Sequence, residues 1–199
     1  MESKGLLADY KTKVKGGCLD YMLLAVDVLK PNVESGFSQQ IKNIVEEASK
    51  LLHYKPAHIV PRGYPSLLSG IDSVVEVEYN CPDYEDAIQN VMSIMPKPVP
   101  RNLILIGGMI GMGHFSAYYY LVKFGANEIH IPYDGTLADE KDVRNEFLFK
   151  NYLTPIRTNP SQIIVLDNEG NEHLFQESLP LVIFYPQWKD LKKFLLEHR

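Results

Sequence analysis

The stretch from Leu103 to Asp134, "LILIGGMIGMGHFSAYYYLVKFGANEIHIPYD", sets four glycines within seven positions directly behind four apolar residues. Glycines in such a place allow a tight bend and a close approach of phosphate to the backbone, and the free N–H groups at the start of a following helix attract an anion. Gly108, Gly111 and Gly113 have the spacing for this work. Asp134 lies 21 positions beyond Gly113, at the end of a second apolar segment, where an acid accepts hydrogen bonds from ribose hydroxyls. The chemistry is therefore that of a nucleotide-like ligand: a dinucleotide, S-adenosylmethionine or ATP. The same residues also read as a packing turn followed by an Asp-Gly turn.

Other reactive groups are scattered. His114 follows the glycines and could touch phosphate, and Tyr118, Tyr119 and Tyr120 surround a helix, so one ring faces solvent or a pocket. Cys18 precedes an apolar run, beside lysines that would lower its pKa, although a buried inert thiol is the commoner arrangement. Arg62, in the proline-flanked "VPRGYP", could recognise a carboxylate.

Positioning these groups takes a strand, a helix and a strand. Apolar Leu103 to Ile106 reads as the first strand, a helix runs to about Phe124, and "EIHIPYD" reads as the second strand, a β-α-β unit. Ser161 to Leu166 and Leu181 to Tyr185 read as further strands, with a short helix from Trp188 to Glu197. Upstream, Leu19, Met22, Leu23, Val26 and Leu29 recur at three- and four-residue steps, which predicts a helix stopped by Pro31. A second helix is expected from Ser38 to Leu52, a strand from Ser73 to Tyr79 and a third helix from Tyr84 to Met95. Prolines 96, 98 and 100 forbid helix and mark a boundary. The expected class is α/β, with a helix-rich N-terminal region over residues 1–98 and a Rossmann-like nucleotide-binding region over 99–199.

Composition narrows the partners. A chain of 199 residues with 45% apolar content can bury one core, or one core and an appendage. The formal net charge of −5 leaves no basic excess for a phosphate backbone, so nucleic acid is not expected as a partner. No window approaches a membrane span and no secretory segment is evident, which predicts a cytoplasmic protein. Two cysteines without C-x-x-C spacing signal neither zinc nor a disulfide framework.

The order of glycine loop, strand-ending acid, polar segment and apolar triplet in "LILIGGMIGMG…FGANEIHIPYDGTLADEKDVRNEFLF" resembles the E1-like adenylating enzymes, which include the ThiF, MoeB and HesA proteins and the ubiquitin-activating enzymes. Gly108, Gly111 and Gly113 match three of that family's four loop glycines, with Ile110 at the other. The resemblance implies that Asp134 holds ribose, that Arg144 neutralises charge on the ATP phosphates, that Lys150 is the nearest counterpart of the family lysine, and that Asp167 of "IIVLDN" orients magnesium. The family's Asn before the arginine falls on Lys141 or Asp142, and its cysteine pairs are absent. It further implies ATP and Mg as cofactors, adenylation of a small-molecule carboxylic acid in cofactor biosynthesis, and a homodimer. A short member that adenylates a pyridinol carboxylate of the iron-guanylylpyridinol cofactor is the nearest analogue. The alternatives are an S-adenosylmethionine-dependent methyltransferase and a non-catalytic nucleotide-binding scaffold.

Overall fold

The computed structural model describes residues 21–29, 35–80, 84–94, 100–109, 117, 120–121, 123–137, 163–166, 172–175, 181–185 and 187–197. Within them the chain begins with strand β1, Tyr21–Val26, where the apolar spacing predicts helix. All six residues are buried. A helix with Leu23 and Val26 inward would turn Leu24 and Ala25 toward water, whereas a strand between two parallel neighbours buries every side chain. β1 has such neighbours in β2, Ala57–Pro61, and β4, Asn102–Met109.

Helix α1, Ser35–Leu51, connects β1 to β2, and β3, Val75–Tyr79, follows at the sheet's edge. Its alternating exposure matches its marginal position. Helix α2, Tyr84–Ile94, carries Glu85 and Asp86 in its first turn, where they complement the helix dipole, and the chain then crosses back to β4. β5, Glu128–Pro132, pairs parallel with β4, so the expected β-α-β unit is present, with Ala117, Tyr120, Leu121 and Lys123 in helical conformation between the strands. A 3-10 turn, Tyr133–Gly135, and the short β6, Thr136–Leu137, follow. β7, Ile163–Leu166, and β8, Glu172–Phe175, form a separate antiparallel pair. β9, Leu181–Tyr185, joins β5, and helix α3, Trp188–Glu197, completes the order.

The main sheet runs β3-β2-β1-β4-β5-β9, all parallel, with β6 beside the end of β4. This is an α/β fold. The expected division at residues 98 and 99 falls inside the sheet, since β1 pairs with β4 along six register positions, from Tyr21 with Asn102 to Val26 with Gly107. The N-terminal region is correspondingly half of that sheet instead of a helical unit.

Two cores flank the sheet because its successive side chains point to opposite faces. Met22, Leu24 and Val26 pack with Leu105 against Ile88 and Val91 of α2. Leu23 and Ala25 pack with Ile104 against Ile44 of α1 and Leu191 of α3. Each fully buried aliphatic side chain contributes about 1.5–3 kcal/mol, so the helices are held by these faces more than by their own propensity. Among the described residues, no helix is long and apolar enough to cross a membrane.

Candidate functional site

In a doubly wound sheet the crevice for a ligand opens at the carboxyl ends of the strands where the winding reverses. Here that point lies between β1 and β4, since β1, β2 and β3 lead one way and β4, β5 and β9 the other. Asp27 is the first residue beyond β1 and has φ 48°, making it the non-glycine residue with positive φ among the described residues. A left-handed residue with a side chain costs about 1–2 kcal/mol, and such outliers concentrate where function fixes a geometry. The Tyr79 hydroxyl, from the last residue of β3, donates to the Asp27 carboxylate at 3.1 Å to Oδ1 and 3.4 Å to Oδ2.

The backbone leaving β1 is anchored. The Asp27 amide donates to the Ile59 carbonyl at 3.0 Å, and the Leu67 amide donates to the Val28 carbonyl at 2.9 Å. Leu29 bridges to Ser66 in antiparallel fashion. From the other side of the crevice, Gly107 packs directly on this segment: a Cβ there would lie 2.4 Å from Val28 Cγ2 and 2.6 Å from the Val26 carbonyl, and φ is 77°. Gly108, with φ 55°, continues the irregularity inside β4, where pairing with β6 shifts register. The two leading glycines thus belong to a strand bulge that lets β4 close against β1.

Ser66, His58 and Glu76 look at first like a nucleophile triad. In such a triad the serine and the carboxylate occupy opposite ring nitrogens. Here Ser66 Oγ at 3.1 Å and Glu76 Oε1 at 3.6 Å both face His58 Nδ1, while Nε2 accepts the Val28 amide at 3.1 Å. Ser66 also accepts from the Leu68 amide at 3.0 Å and is buried. Burial pushes the His58 imidazole down to about 4, against the opposing pull of Glu76. The trio is a lock between strands, with a neutral imidazole at its centre.

A second buried network spans the α3 side. His130 Nδ1 lies 3.1 Å from the Tyr185 hydroxyl and Nε2 lies 3.2 Å from Glu128 Oε2, which also accepts from the Tyr21 hydroxyl. Burial lowers the His130 imidazole and raises the Tyr185 phenol, the latter helped by the Glu128 charge. Phe194 covers the ring at 5.3 Å. His130, Tyr185, Glu128 and Tyr21 thus each have a partner, as a stable buried network requires.

The residues expected to bind nucleotide divide between these observations. Asp134 lies in the 3-10 turn after β5, at the carboxyl edge, but its Oδ1 accepts the Trp188 amide at 2.7 Å and its Oδ2 accepts from Gln40 Nε2 at 2.9 Å. It serves as the N-cap of α3, reached across 54 positions. Nearby, Glu47 accepts from Trp188 Nε1 at 2.8 Å and from Lys192 Nζ at 3.0 Å, which tie its carboxyl below its usual range. Arg62 is exposed and pairs with Glu78 at 3.6 Å. Gly111, Gly113, Arg144, Lys150 and Asp167 lie outside the described residues, as do Cys18 and His114. Among the described residues, no group of three or more His, Cys, Asp or Glu is placed to hold a metal ion.

Sequence reasoning missed Asp27, Tyr79 and His58. An acid closing an apolar run was the available signal, as "YMLLAVD" parallels "EIHIPYD", but reading the first run as a helix concealed it.

No family model matches the chain, and no curated protein does. Among solved structures, a nicotinamidase from Staphylococcus aureus matches over 70% of this chain and 95% of its own, at 12% identity and a TM-score of 0.45. ATP-dependent adenylation and its methyltransferase alternative are corrected: the leading glycines form an irregularity inside β4, and the acid expected to hold ribose caps α3.

Proposed function

We propose that this chain is a small-molecule hydrolase whose reacting centre is at the carboxyl edge between β1 and β4, with Asp27 as general base. The observation that carries this reading is the Asp27 turn: an ionisable residue held left-handed at the winding reversal, with a phenol donating to its carboxylate. Backbone strain is retained where the surroundings enforce it, and here two strands and a glycine contact do so.

A carboxylate beside a neutral hydroxyl forms an acid–base pair suited to acyl transfer. In the reaction, water oxygen bonds to the acyl carbon while Asp27 takes one water proton. As the bond to the amine or alcohol breaks, that proton passes to the departing group and the carboxylate is restored. Tyr79 keeps the carboxylate oriented by donating to both oxygens throughout.

The test is a panel of small amides and esters assayed with the wild type and with Asp27→Asn. The asparagine has the same shape and tolerates left-handed φ, but it cannot accept the proton. A loss of about 100-fold or more in kcat for whichever substrate turns over is expected. Turnover retained in the variant refutes the assignment.

A further inference from the structure

We infer that His58 is a positioning residue for Asp27, holding the Val28 amide and with it the peptide on which the left-handed turn depends. The inference rests on the reading of Asp27 as the reacting carboxylate.

Successive amides of an extended strand point to opposite neighbours. The Asp27 amide is bonded to Ile59 of β2, so continued extension would aim the Val28 amide at β4. Instead it donates to the imidazole of His58, on β2, at 3.1 Å. The positive φ of Asp27 is the point at which the chain departs from the extended path. A fully buried side chain thus takes the amide that the sheet gives up, as a buried N–H demands.

The acceptor role fixes the ring. Nε2 carries no proton, so the proton is on Nδ1, which faces Ser66 Oγ at 3.1 Å. Ser66 is in turn fixed by the Leu68 amide, and Leu67 and Ser66 hold Val28 and Leu29 from the same loop. Glu76 of β3, 3.6 Å from Nδ1, is the charged group facing the ring. On the adjoining segment the Asp27 carboxylate is engaged by Tyr79. Protonating Nε2 would set a donor against the Val28 donor, so charging His58 and releasing Val28 are one event. Burial keeps that event near pH 4.

NMR of the full chain tests this. In the wild type, Val28 amide exchange, corrected for its intrinsic rate, should be slow near neutral pH and accelerate toward about pH 4, in step with the His58 ring carbons. The Asp27 Cα shift should leave its left-handed value over the same interval. His58→Leu should lose Val28 protection by about tenfold or more, the loss of one buried hydrogen bond, while amides of Leu103 to Leu105 keep theirs. His58→Gln, whose side-chain oxygen can accept the amide, should restore the protection and abolish the pH step. With a hydrolysed substrate in hand, His58→Leu should lower kcat with KM nearly unchanged, and His58→Gln should recover it.

Unchanged Val28 protection in His58→Leu, or an Asp27 shift that ignores His58 titration, overturns the inference. If His58→Leu does not fold, the wild-type pH series and His58→Gln decide. Full turnover in Asp27→Asn would overturn the proposed function alone, leaving the Val28 and Asp27 conformational readouts to judge His58.

Discussion

The Tyr79 hydroxyl at the end of β3 reaches past β2 to donate to the carboxylate of Asp27, just beyond β1, at 3.1 Å. The outer two of three consecutive parallel strands are thereby tied at their carboxyl ends across β2. Removing the hydroxyl in Tyr79→Phe should cost about 1–3 kcal/mol in urea unfolding, because the carboxylate loses a donor that is largely shielded from water. The same variant should lower turnover through misorientation of Asp27. A stability equal to wild type would deny the bond its importance.

Asp27→Gly separates function from stability. Glycine relieves the left-handed strain, which offsets part of the lost contact with Tyr79, so it should be more stable than Asp27→Ala by about 1 kcal/mol. Both variants should lack activity. Thermal denaturation of the pair measures the difference, and an alanine variant as stable as the glycine would remove the case for strain.

Gly107→Ala should destabilise by about 2 kcal/mol or more. The added methyl would overlap Val28 Cγ2 and the Val26 carbonyl while the backbone kept a φ of 77°. Because the overlap is with the segment bearing Asp27, a folded Gly107→Ala protein should also show a displaced Val28 amide resonance. Chemical denaturation and a proton–nitrogen correlation spectrum check both parts.

Asp134→Ala should cost about 1 kcal/mol of stability through loss of the α3 cap, with turnover of any substrate within about twofold of wild type. A hundredfold loss of activity with unchanged stability would return Asp134 to the reacting centre. Unfolding midpoints and steady-state rates on the same preparation distinguish these outcomes.

Acid should weaken the fold through its buried histidines. The His58 imidazole is depressed to about 4 in the folded chain, so from about pH 6.5 downward the unfolded chain binds a proton that the folded chain refuses. Its contribution is present above pH 6.5, declines as pH falls and is exhausted near pH 4, a loss on the order of 3 kcal/mol. His130, also lowered by burial, acts in the same direction. Unfolding free energies measured across this window should fall with pH, and His58→Gln should flatten the curve.

Much of the architecture follows from local pattern. Leu181–Tyr185 and Trp188–Glu197 form where apolar runs and helical spacing place a strand and a helix, and α2 starts at Tyr84 as expected. The β4–β5 unit is legible because a strand, glycines and a second strand succeed one another within a short span. Periodicity alone could not settle Tyr21–Val26, since six consecutive apolar residues satisfy a buried strand and a buried helix equally. Parallel partners 33 positions away, such as Ala57 for Leu24, and 81 away, such as Leu105 for the same residue, decide it. The roles of the acids were decided the same way. Asp27 and Asp134 each close an apolar run, yet one meets Tyr79 beside the winding reversal and the other meets the amide of Trp188. Sequence supplies the carboxylate, but the donors facing it come from strands and helices far along the chain, and only the packed sheet brings them within hydrogen-bonding distance.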